Sequence, residues 1–96
     1  MSISVAIVED ETRLRVQLAK MINDAPGFRC QGMFGSAEQA LREIPRQPSD
    51  VVLMDMQLPG EMDGVMTTRA IRTEYPSIQV LGLSSYVAPE RVQAQR

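Results

Sequence analysis

The sequence reads Ile3-Ser4-Val5-Ala6-Ile7-Val8-Glu9-Asp10-Glu11 near its start and Val51-Val52-Leu53-Met54-Asp55 at its centre, and these two stretches decide the fold. In each stretch a short apolar run ends at carboxylates, a pattern that indicates a buried parallel strand. Ligands of an open parallel sheet bind beyond the carboxyl ends of its strands. If the two strands are neighbours, Glu9, Asp10 and Asp55 meet in one acidic pocket.

An acidic pocket of this kind is suited to a divalent cation. Clustered carboxylates repel one another unless a cation lies among them, and hard oxygen ligands favour Mg²⁺ or Mn²⁺. A purely structural alternative stays open for each acid. Glu9, Asp10 and Glu11 could be solvated acids at a helix N-terminus, where the helix dipole favours negative charge. Asp55 taken alone could be a cap at the end of its strand.

Helical and extended patterns alternate along the rest of the chain. Apolar spacing and the breaks at glycine and proline predict helices over residues 11–23, 37–44, 64–74 and 88–96, and strands over 28–34 and 79–83. Ser36, with Gln39 three residues later, forms a capping-box pattern at the start of the second helix. Asp63 is expected to serve the turn before the third helix rather than a metal.

The resulting order β-α-β-α-β-α-β-α predicts a single α/β domain. Its parallel sheet would be covered by helices on both faces and joined by right-handed crossovers. In the third helix, Val65, Ala70 and Ile71 are the expected inward residues. Arg13 and Arg15 are expected to lie on a solvated face of the first helix.

The composition is that of one small globular domain. Its 96 residues are 44% apolar and 23% charged, values that exclude a disordered chain. A net charge of −2 gives no general attraction to nucleic acid or to an anionic membrane, so DNA binding would need a separate basic module. Cys30 is the single cysteine, which excludes an intrachain disulfide. No membrane span of ~20 residues and no signal-peptide pattern is found, and a cytoplasmic location is expected.

Three motifs resemble the receiver domain of bacterial response regulators in two-component signalling. They are Val8-Glu9-Asp10-Glu11, Asp50-Val51-Val52-Leu53-Met54-Asp55-Met56-Gln57-Leu58-Pro59-Gly60 and Val80-Leu81-Gly82-Leu83-Ser84. The resemblance covers essentially the whole chain and is closest to receivers that precede a helix-turn-helix output domain. It implies a flavodoxin-like sheet of five strands in the order 2-1-3-4-5, and a native output in transcription regulation.

The resemblance also implies roles for the residues of the pocket. Asp55 would accept a phosphoryl group from the phosphohistidine of a sensor histidine kinase and form an acyl phosphate. Asp10 would bind Mg²⁺ directly, and Glu9 would do so directly or through water. The backbone carbonyl of Gln57 would add another ligand.

Two further residues of the resemblance follow the fourth strand. The hydroxyl of Ser84 would hydrogen-bond a phosphoryl oxygen, and Tyr86 would border the mouth of the pocket and influence the access of water. Ser84 could instead only cap the following helix. The family's lysine, which lies on a fifth strand, has no counterpart here, because the single lysine of the chain is Lys20 in the first helix.

The sequence departs from the family pattern in two places. The loop Pro59-Gly60-Glu61-Met62-Asp63-Gly64 is one residue longer than usual. No pattern for a fifth strand or fifth helix follows, so residues 1–96 are expected to form an incomplete receiver without an output domain, either a natural short protein or part of a longer regulator. The fourth strand would then be an edge with exposed Val80, Leu81 and Leu83, and a homodimer through that edge or through the terminal helix is expected.

Two other function classes compete with the phosphorylatable receiver. One is a dimerisation or interaction module that works without phosphorylation, favoured by the missing lysine and the expected strand edge. The other is a phosphatase with an aspartate nucleophile on a related fold. That chemistry calls for a second acid two residues after the nucleophile, where this chain has Gln57. We therefore expect no enzyme beyond self-catalysed gain and loss of the phosphoryl group.

Overall fold

The computed structural model describes residues 2–60 and 62–83. These residues form strands β1 (Ile3–Val8), β2 (Phe28–Phe34), β3 (Val51–Asp55) and β4 (Gln79–Leu83), and helices α1 (Thr12–Asp24), α2 (Ala37–Glu43) and α3 (Gly64–Glu74). The predicted alternation of strands and helices is confirmed over this part of the chain. The predicted helix over 88–96 lies outside the described residues. Within the described ranges, no helix is long and apolar enough to cross a membrane.

The strands pair in parallel in the order β2-β1-β3-β4. The prediction that the first and third strands are neighbours is confirmed, and Val8 pairs with Met54 at their carboxyl ends. Because Glu9 and Asp55 each come directly after this pair, both reach the same edge of the sheet at the same level. The order agrees with that of a flavodoxin-like α/β fold.

Both faces of the sheet are covered by helices, as predicted. Successive side chains of a strand point to opposite faces, so Ala6 and Val8 face the side of α2 and α3, while Val5 and Ile7 face the side of α1. The main core lies on the first of these sides. It contains Ala6, Val8, Ala37, Ala40, Ile44, Val52, Met54, Leu58, Ile71 and Ile78.

The inward face of α3 was only partly predicted. Ile71 is fully buried, but Val65 is 49% exposed, so its assignment to the inward face is wrong. Gly64 and Thr67 are buried instead. Positions 64, 67 and 71 follow a helical spacing of three and four residues, and a glycine and a threonine at the first two conceal this stripe from a hydrophobicity pattern.

The amino end of the sheet is closed by Ser4 and Asp50. The Ser4 amide and hydroxyl donate to Asp50 Oδ2 at 2.9 and 3.1 Å, and the Asp50 amide donates back to Ser4 Oγ at 2.9 Å. Ser4 is buried. These reciprocal hydrogen bonds join the start of β1 to the residue before β3.

In the part of the chain that is described, β4 and β2 are the outer strands of the sheet. On β4, Leu81 is 55% exposed, while Val80 and Leu83 are half-buried. The apolar surface expected on the fourth strand is thus found mainly at Leu81.

Candidate functional site

Three carboxylates meet at the carboxyl end of the sheet. Glu9 directly follows β1, Asp10 comes next, and Asp55 ends β3. One oxygen from each carboxylate lies within 4.8 Å of the other two. Glu9 and Asp55 are buried, with exposures of 1% and 0%, whereas Asp10 is exposed. The predicted convergence is present. Solvation at a helix N-terminus describes the exposed Asp10 and Glu11 but not Glu9, which is buried.

The same kind of local hydrogen bond orients both buried acids. The amide of Glu11 donates to Glu9 Oε2 at 2.9 Å, and the amide of Gln57 donates to Asp55 Oδ1 at 2.9 Å. In each case the carboxylate accepts from the amide two residues later, as in a side-chain-stabilised turn. The carboxylate of each acid is therefore held next to the turn that follows its own strand.

Glu9 lies in surroundings that disfavour its charged form. Burial raises the pKa of Glu9 to about 7, the Glu11 amide opposes this shift, and the nearby Asp55 and Asp10 add to it. Its second oxygen, Oε1, is buried and has no hydrogen-bond partner among the described residues. A buried oxygen of this kind calls for an explanation, and a hard cation beside three carboxylates supplies one. The residues present fit a divalent ion.

Close backbone packing sets the position of the loop after β3. A Cβ atom at Gly64 would collide with the carbonyl oxygen of Asp55 and lie 2.5 Å from the Cα of Met56. Only glycine allows the first turn of α3 to pack this closely against the end of β3. Gly60, in the loop between them, has a φ of 95°, in the left-handed region that glycine adopts without steric cost.

Asp63 caps α3, as predicted. Its Oδ1 accepts from the amide of Met66 at 3.0 Å, which satisfies one of the free amides of the first helical turn. Asp63 is not part of the group of three acids that could hold a metal ion. The loop between β3 and α3, which is longer than the family pattern, thus supplies the N-cap of α3.

Arg15 differs from its prediction. It is half-buried rather than fully solvated: its Nη1 donates to the carbonyl oxygen of Glu9 at 2.6 Å, and its Nη2 donates to Thr12 Oγ1 at 3.4 Å. Helical side chains point toward the N-terminus of their helix, so a long side chain in the second turn of α1 reaches the loop before it. The exposed Arg13 lies where it was expected.

The roles predicted for the remaining site residues are not tested by the described structure. The side chain of Gln57 is exposed in the turn after β3, and the role of its carbonyl as a metal ligand stays a prediction. Ser84 and Tyr86 lie outside the described residues, so their roles also stay predictions. Lys20 is exposed on α1.

Comparison with known proteins places these features in a family. The family model of the response regulator receiver domain matches residues 5–95. The chain is 38% identical over 88 residues to protein-glutamate methylesterase/protein-glutamine glutaminase 1 of Syntrophus aciditrophicus, which covers 92% of this chain and 25% of that protein. It is 32% identical over 82 residues to response regulator GacA of Pseudomonas viridiflava, which covers 85% of this chain and 38% of that protein.

Among solved structures, the isolated REC domain of RcsB from Salmonella enterica serovar Typhimurium has the same fold. Its TM-score is 0.82 at 20% identity, and the match covers 99% of this chain and 70% of that chain. The two curated relatives are much longer than this chain, which spans 25% of one and 38% of the other. The family model nevertheless extends over nearly the whole sequence. The chain therefore belongs to the response regulator receiver domain family.

Proposed function

We propose that this chain is a phosphorylatable receiver domain in which Asp55 accepts a phosphoryl group from a sensor histidine kinase. The observation that carries the proposal is the convergence of buried Glu9 and Asp55 with exposed Asp10, one oxygen from each within 4.8 Å of the others. Two ionised carboxylates buried so close together are unfavourable unless a cation compensates their charge. Family membership supplies the reaction that uses such a site.

Glu9, Asp10 and Asp55 would hold Mg²⁺ or Mn²⁺, and the backbone carbonyl of Gln57 would be a further ligand. Glu9 Oε1, which accepts from no donor group among residues 2–60 and 62–83, supports this assignment. A small set of protein ligands suits Mg²⁺, which retains several waters in most protein sites. When bound, the ion supplies positive charge beside the oxygens of the phosphoryl group.

The chemical step belongs to Asp55. One oxygen of its ionised carboxylate attacks phosphorus, the bond between phosphorus and the histidine nitrogen breaks, and the histidine leaves with the electron pair. The Gln57 amide, 2.9 Å from Asp55 Oδ1, holds the carboxylate in one orientation. The hydroxyl of Ser84 would donate a hydrogen bond to a phosphoryl oxygen of the product, and Tyr86 would limit the approach of water.

The proposed output is transcription regulation through a DNA-binding domain joined to this receiver. This output rests on the resemblance of the sequence motifs to receivers that precede a helix-turn-helix domain. The match to 25% of a methylesterase shows that receivers of comparable sequence also occur in proteins with other activities. We also propose a homodimer, formed through β4 or through the helix that the sequence predicts over residues 88–96. The exposure of Leu81 at the outer face of β4 supports the first of these contacts.

Phosphorylation is tested with acetyl phosphate and Mg²⁺, followed by intact mass. Wild type should gain one phosphate group, and Asp55→Asn should gain none because the nucleophile is lost. Asp63→Asn is the matched control: it changes a nearby acid and retains a good helix cap, so it should gain phosphate like wild type. Wild type that stays unmodified with Mg²⁺ present would contradict the proposal.

A second candidate is an interaction module that works without phosphorylation, and the exposed Leu81 also favours it. Light scattering on the same samples separates the two candidates. A phosphorylation-dependent receiver should change its oligomeric state on treatment of wild type but not of Asp55→Asn. An interaction module should show one oligomeric state in both proteins, with or without Mg²⁺.

A further inference from the structure

Arg15 fastens the turn that carries two of the three acids. Its Nη1 donates to the carbonyl oxygen of Glu9 at 2.6 Å and lies 3.4 Å from that of Asp10, while its Nη2 lies 3.4 Å from Thr12 Oγ1. The guanidinium thus bridges the end of β1 and the start of α1. A planar group with several donors is well suited to hold successive acceptors in a fixed arrangement.

Glu9 is held at three points, and Arg15 provides one of them. The amide of Glu9 donates to the carbonyl oxygen of Phe34 at 3.0 Å, and its Oε2 accepts from the amide of Glu11 at 2.9 Å. The carbonyl oxygen accepts from Arg15. With the amide, the carbonyl oxygen and one carboxylate oxygen of Glu9 all hydrogen-bonded, little freedom remains in where Oε1 lies relative to the other acids.

The Arg15 guanidinium donates to the backbone carbonyl oxygens of Glu9 and Asp10 and to a hydroxyl, and not to the carboxylate groups of the acids. These hydrogen bonds therefore order the turn and do not use the carboxylate oxygens that a cation would bind. The β2–α2 turn leaves space for it, since a Cβ atom at Gly35 would lie only 3.1 Å from Arg15 Nη1. The guanidinium is thus packed against the ends of two neighbouring strands.

We propose that Arg15 is a positioning residue that presets the cation site by fixing the backbone of Glu9 and Asp10. The inference rests on the proposed function, because the cation belongs to that function. Without this anchor, the turn would have to become ordered when the cation binds, and that loss of conformational freedom opposes binding. Loss of groups that orient metal ligands typically weakens metal affinity about 10- to 100-fold.

The test measures Mn²⁺ binding from the electron paramagnetic resonance signal of the free ion. We expect Arg15→Gln to raise the Kd about 10-fold or more, and Arg15→Lys to remain weak, because an ammonium group cannot replace the planar fork. Arg13→Gln, an exposed change on the same helix, should bind like wild type. Thermal unfolding in EDTA identifies any variant that fails to fold.

A second readout separates positioning from general destabilisation. At saturating Mn²⁺, the spectrum of the bound ion should be altered in Arg15→Gln and unchanged in Arg13→Gln, since destabilisation alone would leave the ligand arrangement intact. Wild-type affinity in both Arg15 variants would overturn the inference, and so would full rescue by Arg15→Lys, which would assign the effect to charge. Wild type that does not bind Mn²⁺ would instead refute the proposed function on which the inference rests.

Discussion

The acidic side chains at the two ends of the sheet lie in different hydrogen-bonding environments. At the amino end, Asp50 Oδ2 accepts two hydrogen bonds from Ser4, whose hydroxyl in turn accepts from the Asp50 amide. At the carboxyl end, Glu9 has one buried oxygen without a hydrogen-bond partner in the described chain, and it lies beside two other acids. Strands β1 and β3 thus have a hydrogen-bonded acid at their amino ends, while at the carboxyl end of β1 one buried oxygen of Glu9 accepts no hydrogen bond within the described residues.

The pKa values of these acids shift in opposite directions. Hydrogen bonds from Ser4 lower the pKa of Asp50, whereas burial raises the pKa of Glu9 to about 7. A lowered pKa means that the fold stabilises the charged carboxylate. A raised pKa means that the fold alone does not, and this is characteristic of groups that act on ligands. The comparison shows that two acids on neighbouring strands differ in how far the fold stabilises their charge, and that Glu9 is the one whose charge the fold disfavours.

The largest expected effect is that of Glu9→Gln on the metal-free protein. The folded pKa of about 7 lies above the ordinary value of 4.5, so the contribution of Glu9 to stability is present below pH 4.5 and is lost as the pH rises to 7. Glutamine carries no charge, and its amide oxygen can still accept from Glu11. Glu9→Gln should therefore be more stable than wild type at pH 8, by up to about 3 kcal/mol.

Thermal unfolding by circular dichroism in EDTA, at pH 4 and pH 8, checks this expectation. The variant and wild type should unfold at similar temperatures at pH 4, where Glu9 is protonated in both states. Addition of Mg²⁺ at pH 8 should stabilise wild type more than the variant, because binding to the folded state alone raises stability. Equal stability of the two metal-free proteins at pH 8 would mean that the fold itself already stabilises the charge on Glu9.

Ser4→Ala removes the hydrogen bonds of the Ser4 hydroxyl at the amino end of the sheet. We expect a smaller effect on stability than that of Glu9→Gln, with the opposite pH dependence. The hydroxyl that both donates to and accepts from Asp50 is lost, so the Tm should fall. Because the pKa of Asp50 is lowered, its contribution is present above its ordinary value of 3.8 and is lost as the pH falls through the folded value. The difference in Tm between wild type and variant should be full at pH 7 and shrink below pH 4; a constant difference would argue against the role of the Asp50 charge.

Much of the fold and the centre of the site could be predicted from local sequence. β-branched runs that end at acids identify β1 and β3, and the breaks at glycine and proline mark the elements between them. Once two such strands are neighbours in a parallel sheet, their carboxyl ends must share an edge. The meeting of Glu9, Asp10 and Asp55 follows from this topology and needs no knowledge of side-chain packing.

What could not be predicted depends on where side chains go in three dimensions. The inward stripe of α3 begins with Gly64 and Thr67, which a hydrophobicity pattern does not register. Arg15 reaches a backbone carbonyl, and a carbonyl leaves no mark in the sequence. The pairing of Ser4 with Asp50 depends on the register of two strands that are far apart in the chain. Each of these features was missed for a reason of geometry rather than of composition.

Asp63 comes shortly after β3, near the acidic cluster in sequence, but its side chain is hydrogen-bonded, as that of Asp50 is. It therefore tests whether an acid of this kind contributes to the cation site. Its Oδ1 caps α3 through the amide of Met66 at 3.0 Å, and loss of such a cap costs about 1 kcal/mol. Asp63→Ala should therefore lower the Tm slightly and leave the Kd for Mn²⁺ unchanged, whereas Asp63→Asn should leave both unchanged. Thermal unfolding and Mn²⁺ titration measure the two quantities on the same samples. A weakened Kd in Asp63→Ala would place this acid in the cation site and show that a satisfied hydrogen bond does not by itself exclude an acid from function.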